Sequence, residues 1–550
     1  TDAGVDAGWD AGPPPGQIVT SCDEVVVEGA AAGGLPEITG WPILWVEARG
    51  DDAVFRAPAV ARSTFLFVGD DIVRVDPREP SGFDVPGLAA DCGPFAHGVA
   101  SGDPRPDGVT LWTRWSPPAG SVDPAAIEWV VATDRALVDE VGRGTVDATE
   151  ASDWTVHVEL TGLAPATTYW YRFSDPSGEV SVLGRTRTAP TGSVEHLRFA
   201  LMSCSSLFSG WFNAYRRLAE RDALDLIIHV GDYIYDFVDE DERVRVPPSG
   251  EVEDLVDLAS HRRRHALYLS DPDLRAARQA HPWFLLWDNH DLERDAPEHG
   301  GGAQAFREWN PIPLPTAEAP ADQLYRVLRY GDLADVMMVD MYLFQRRDTL
   351  PGSDAPGVLS EAQYAWLTGE LSASTATWRL IGMQKVFADF DAFSGWTDFP
   401  EARSRLIGYF ASEGIGDNVF LTGDSHFTIF QDVVDDPATY DPSTGVGAVG
   451  AEFLATSISR GNFDEQIGMG MDRIIEGIRA GFLRNHPHQV DLELTSHGYG
   501  ILDVTRERVV AETWYSEILR PESRERFGLA YAVPRGANRY DRTRLDTPTP

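Results

Sequence analysis

Residues 224–236, LDLIIHVGDYIYD, set an almost unbroken apolar run against an abrupt polar end. Strands buried on both faces read as such continuous runs, and Gly231-Asp232 stops this one. Working outward, the same design recurs three times. A strand at 198–202 ends in Ser203-Cys204, one at 283–287 in Trp287-Asp288-Asn289-His290-Asp291, and one at 418–422 in Gly423-Asp424-Ser425-His426. Helical stretches such as FNAYRRLAERDA (212–223) and SEAQYAWLTGELSAS (360–374) alternate with these runs. Buried strands alternating with helices predict an α/β domain over 193–550, its central β-sheets flanked by helices.

In open α/β sheets the chemistry gathers at the carboxyl ends of strands. Here those ends carry carboxylate, amide, imidazole, phenol and thiol groups, all metal-ligand types. Asp232 can bridge two cations through its two oxygens, and Asn289 adds a neutral carbonyl beside the carboxylate of Asp288. His426 offers an imidazole two residues beyond Asp424. A pair of cations so held can activate water and clamp a phosphoryl group. His290, with Asp291 behind it, is read as the proton or hydrogen-bond donor to that group. Asp232, Asn289 and His290 are therefore the candidate catalytic residues.

Upstream, residues 17–92 show short alternating runs such as EVVVEG (24–29) and TFLFVGD (64–70), which predict a small Ig-like β-sandwich. Residues 93–192 predict a second sandwich. Its stretch GLAPATTYWYRF (162–173) resembles the tyrosine-corner strand of fibronectin type III domains, and Ala189-Pro190-Thr191-Gly192 reads as a linker. Two small β-sandwich domains thus precede the α/β domain. Residues 1–16 repeat Asp-Ala-Gly and read as a flexible acidic linker. Such a tether resembles the stretch behind an export or lipoprotein signal, so an extracytoplasmic location (periplasmic, cell-surface or secreted) and an upstream lipid anchor are expected.

Charge narrows the partners. With 86 acidic against 46 basic residues the net charge is −40, which repels nucleic acid and anionic membrane surfaces. No apolar run is long enough to span a bilayer. The three cysteines are Cys22, Cys92 and Cys204. In an oxidising compartment Cys22 and Cys92, which bracket one compact segment, are expected to pair as a disulfide. Cys204 is then a free thiol, either inert or a metal ligand.

The ordered set GD-x-x-Y (231–235), W-D-N-H-D (287–291) and G-D-x-H (423–426) resembles the metallophosphoesterase superfamily. More narrowly it resembles the PhoD-like alkaline phosphatases. FAHGVASGDPRPDGVTLWTR (95–114), HALYLSDPDLRAARQAHPW (265–283), LYRVLRYGDLADVMMVD (324–340) and VGAEFLATSIS (449–459) follow in family order. The resemblance implies a metal-dependent phosphatase, exported and acting on small phosphomonoesters, with phosphodiesters as a further class. It implies ferric iron (Fe3+) held with a thiolate and a phenolate, alongside calcium (Ca2+) or other divalent metals. Cys204, Asp232 and Tyr235 match the iron ligands; Asp288, Asn289, Asp424 and His426 match positions near the remaining metals.

Two departures stand out. The family's asparagine after the W-D motif is here Arg294, and its Asp-Thr-Arg after the strand at 334–340 is Asp340-Met341-Tyr342. They bear on one calcium site and on phosphate binding, where His290 and Arg294 are the expected contacts. They also keep two alternatives open: a phosphodiesterase or phospholipase-type hydrolase with the same centre, or a surface-binding protein with a degenerate domain. Lys385, the single lysine among 46 basic residues, is read as a snorkelling surface side chain rather than a phosphate contact. HRRRH (261–265) is read as a basic helix, Asp239–Glu242 as a solvated acidic loop, and 297–320 as a long loop, either lid or insertion.

Overall fold

The computed structural model describes residues 93–118, 120–238, 244–245, 255–292, 301–316, 323–342, 349–390, 392–468, 470–520 and 523–549, with seven short strands between residues 18 and 75. Those seven pair antiparallel into a four-stranded and a three-stranded sheet. The 1–16 linker, Cys22, Cys92, Asp239–Glu242 and Arg294 lie outside the described residues.

Two large sheets carry the α/β domain. In the nine-stranded sheet, Val99–Arg105, Pro282–Leu286, Leu226–Val230 and His196–Met202 are adjacent and mutually parallel, and Gly498–Thr505 continues antiparallel. In the seven-stranded sheet, Ala334–Val339, Trp378–Met383, Asn418–Thr422 and Ala448–Leu454 run parallel in that order. Alternation along a strand sends successive side chains to opposite faces. Met338, Leu380 and Leu421 therefore share a core with Phe199, Leu201 and Ile228 of the other sheet. Met337, Ile381 and Phe420 pack outward, against Leu367 and Leu371 of the helix Glu361–Ala373 and Leu406 and Phe410 of the helix Pro400–Glu413. Both faces are covered, which is why these strands read as unbroken apolar runs.

Local signals explain the helix starts. Ser360 caps the helix Glu361–Ala373 by accepting from Gln363 N. Asp271 caps Pro272–Ala280 through Asp273 N and Leu274 N, with Pro272 at the first position, where a missing N–H costs nothing.

The segment 93–192 is joined to the α/β domain by hydrogen bonds rather than by the 189–192 linker alone. Its strands Ala125–Ala132, Glu140–Ala148, Thr168–Ser174 and Gly184–Arg187 form their own sheet. Its other strands, Val99–Arg105, Gly108–Arg114 and Thr155–Thr161, extend the nine-stranded sheet through the pairs Ser101–Pro282 and Gly102–Trp283. The tyrosine corner is present: Tyr169 OH accepts from Ala164 N at 2.8 Å. Trp112 Nε1 donates to Glu308 O at 2.7 Å, and Arg326 forks onto Asp103 at 2.5 and 2.8 Å.

One expectation changes. Within 297–320, residues Gly301–Trp309 form a helix whose Phe306 and Trp309 are fully buried, because the apolar positions repeat at helical spacing. The HRRRH stretch is helical as expected, within Leu258–Tyr268; its His261, Arg264 and His265 are buried, and His265 stacks on Trp309.

Asp103→Ala should lower stability by about 2–3 kcal/mol, since it leaves a half-buried guanidinium without its carboxylate. Chemical denaturation followed by tryptophan fluorescence checks this.

Candidate metal centre

The carboxyl ends of strands from both sheets converge. His196–Met202 delivers Cys204, Leu226–Val230 delivers Asp232 and Tyr235, and Pro282–Leu286 delivers Asp288. From the second sheet Trp378–Met383 delivers Lys385, and Asn418–Thr422 delivers Asp424 and His426. The sharp exits force unusual backbone. Cys204, Asp232, Asp424 and His426 sit in the left-handed region, at φ of 58°, 54°, 68° and 67°. Each such residue costs about 1–2 kcal/mol, so the surrounding packing must hold it there. Backbone bonds do so: Cys204 N donates to Gly231 O at 3.2 Å, Ser205 N to Asp232 O at 2.9 Å, and Ser457 N to His426 O at 3.0 Å.

Gly231 explains the Gly-Asp signature. Its φ is +119°, and a Cβ there would lie 2.6 Å from Asp288 Cβ. Only glycine lets the two acid-bearing turns close on each other.

Two groups of ligand atoms gather, each within 4.8 Å: Cys204, Asp232 and His426, and Asp232, Asp288 and Asp424. Asp232 belongs to both. Its Oδ2 faces Cys204 Sγ at 3.7 Å and accepts from Tyr235 OH at 3.2 Å. Tyr235 OH also lies 3.2 Å from His426 Nε2, while His426 Nδ1 donates to Gly461 O at 2.9 Å and so turns Nε2 inward. Asp288 is fully buried, and neither carboxylate oxygen has a hydrogen-bond partner. Asp291 explains its placement, accepting from Asp288 N and from Ile234 N, both at 2.9 Å.

Burial dominates the electrostatics. It raises the carboxyls of Asp232 and Asp288 above the usual range, and Asp288 far above. Burial and then Asp232 push the Cys204 thiol and the Tyr235 phenol up. The His426 imidazole is pushed down to about 3 by burial and by Arg460, so it stays neutral with a lone pair to offer. A buried acid pair, a thiol, a phenol and a neutral imidazole that all face one point fit a bound cation. The orphaned oxygens of Asp288 make the same case, because buried carboxylates without donors are costly.

The remaining expected residues fall as follows. His290 lies at the rim, stacked on Tyr235 at 4.3 Å. Its Nδ1 meets Asp236 Oδ1 at 2.6 Å rather than Asp291, whose oxygens are taken by backbone, so the expected support by Asp291 is corrected to Asp236. Asn289, half-buried, follows Asp288 at the same rim. Tyr342 is half-buried beside them; burial and Asp288 push its phenol up to about 12.

Lys385 is the main correction. It is only 8% exposed, with Nζ 2.5 Å from Asp424 Oδ1 and 3.9 Å from Asp288 Oδ2, so it is no surface lysine. Its position at a strand end was the available signal. Arg460 was not singled out at all; its guanidinium lies 5.4 Å from the centres of the Tyr235 and Phe237 rings.

Comparison with known proteins places the chain in a family. The sequence pattern of the "PhoD-like phosphatase" family matches residues 199–513, and that of the "PhoD-like phosphatase, N-terminal domain" matches 86–190. The chain is 33% identical to alkaline phosphatase D of Bacillus subtilis (strain 168) over 454 residues, 74% of this chain and 76% of that protein.

The chain belongs to the PhoD-like phosphatase family.

As a PhoD-like phosphatase it is a phosphoric ester hydrolase. A solved structure titled "Structure of PhoD" superposes with a TM-score of 0.72 at 28% identity, covering 86% of this chain and 94% of that one. In this PhoD-like phosphatase the turn at Gly231 is tightly packed, since a single methyl group there disturbs two acid turns. Gly231→Ala should cost about 2–5 kcal/mol, from left-handed strain and overpacking together. A lowered melting temperature with loss of hydrolysis is the expected result.

Proposed function

We propose that the chain is an exported, metal-dependent phosphatase of small phosphomonoesters. Ferric iron would be held by Cys204, Asp232, Tyr235 and His426, and calcium by Asp232, Asp288 and Asp424, with Asn289 at the rim. The observation that carries this is the convergence of three carboxylates within 4.8 Å, with Asp288 buried and lacking any hydrogen-bond donor. A soft thiolate beside a hard phenolate suits a trivalent iron better than zinc. When bound, the cations would activate a water and neutralise charge on the phosphoryl oxygens. The acid-rich surface and the Asp-Ala-Gly stretch support the extracytoplasmic reading.

The chain's own residues position the rest. Asp232 is oriented from both sides, its Oδ1 accepting from His290 N at 3.3 Å and its Oδ2 from Tyr235. His290 is fixed by the Tyr235 stack and by Asp236 on Nδ1, which leaves Nε2, when the ring carries both protons, to give its proton to the departing oxygen. Arg460, over the Tyr235 and Phe237 rings, adds positive charge for phosphate on that side, in addition to the expected contacts His290 and Arg294.

Asp232→Ala should abolish turnover of monoester and diester alike and release metal, because it removes the one carboxylate common to both ligand groups. Metal analysis with parallel assays on both esters checks this; retained turnover refutes the assignment. His290→Ala should slow alkyl phosphates roughly 100-fold while sparing p-nitrophenyl phosphate, whose leaving group needs no proton. Equal losses on both substrates would point to a different role.

A further inference from the structure

We propose that Lys385 is a built-in counter-cation of this centre, competing with a divalent cation for Asp288 and Asp424. The second metal position is then weakly and reversibly held. This rests on the metal-centre reading above.

Charge is the constraint. Asp232, Asp288 and Asp424 place oxygens within 4.8 Å of one another, the first two buried and the third half-buried. Such a group cannot stand uncompensated in low dielectric. Lys385 Nζ meets it directly, at 2.5 Å from Asp424 Oδ1 and 3.9 Å from Asp288 Oδ2. A divalent cation binds carboxylate oxygen at roughly 2.0–2.6 Å. Ammonium and metal sharing Asp424 would therefore stand only a few ångströms apart, with like charges. One must give way. Lys385 can, because its flexible side chain is four methylenes long and not wholly enclosed, 10% of it remaining exposed.

The sequence context makes the role specific. In a chain with 46 basic residues, the one lysine is the cation placed between two acids of this centre. A guanidinium is a planar fork, whereas an ammonium is a compact point charge of nearly the bulk of a cation. Gln384 fixes its origin: Nε2 donates to Trp287 O at 2.8 Å and to Asp340 Oδ1 at 3.0 Å, and Oε1 accepts from Met341 N. Lys385 is thus a positioning residue for the second cation, holding Asp288 and Asp424 in place until the cation arrives.

Because Lys385 is the chain's only lysine, amine acylation read by peptide mass spectrometry reports on it directly. The protein as purified, stripped of calcium with EGTA, should show Lys385 protected. Added calcium should raise its labelling several-fold, and unchanged labelling overturns the proposal. Calorimetric titration of the stripped protein with calcium gives the second reading. Lys385→Met should bind calcium at least about tenfold tighter, the scale of removing one nearby like charge. Lys385→Gln, which keeps a donor for Asp424, should behave alike and guards against a folding defect. Equal or weaker calcium affinity in both, with iron content intact, overturns this inference alone. If neither wild type nor variants hold iron or calcium, the metal-centre reading fails and this inference with it.

Discussion

Crowded negative charge in a dry place is the constraint on which the rest of the structure depends. Asp232 and Asp288 are buried and share a 4.8 Å neighbourhood with Asp424, while Cys204 and Tyr235 add two more acidic groups. Burial raises the proton affinity of Asp232, Asp288, Cys204 and Tyr235, a cost that a nearby positive charge offsets. The fold maintains this arrangement through left-handed turns, close glycine contacts and a fan of backbone bonds. A centre of that kind is unfavourable for stability alone and makes sense as a place that awaits positive charge.

Its pieces were legible because each lies at the end of a strand buried on both faces. Continuous apolar runs mark such strands, and the first polar residue after each run is held at a sheet edge. Cys204, Asp232, Tyr235, Asp288, Asp424 and His426 all follow that logic. The tyrosine corner at Tyr169 was legible for a similar reason, being a contact only five residues long in the chain. Cap residues such as Ser360 act within one turn and were equally local.

Relations between distant segments were not legible. Lys385 looks like an ordinary surface residue until the strand Trp378–Met383 is set beside Asn418–Thr422 and its Nζ meets Asp424. His290 was paired with its sequence neighbour Asp291, yet the turn directs Asp291 to backbone N–H groups and leaves Asp236 for the imidazole. Within the HRRRH run His261, Arg264 and His265 are buried, His265 against Trp309 of the helix Gly301–Trp309, a contact its own spacing does not encode. The extension of the nine-stranded sheet by residues 99–105, 108–114 and 155–161 depends on edge pairing, which alternation within a strand does not encode.

By itself the sequence determined the α/β class, the phosphatase family resemblance and the identity of most ligand-type residues, since strand burial and strand-end chemistry are written in short windows. Only the tertiary structure decided that the Asp288 oxygens lack a hydrogen-bond partner and that the single lysine stands among the acids. The reason is range. A hydrogen bond or Coulomb contact acts over a few ångströms, and which residues come that close is set by how two sheets pack, not by their spacing along the chain.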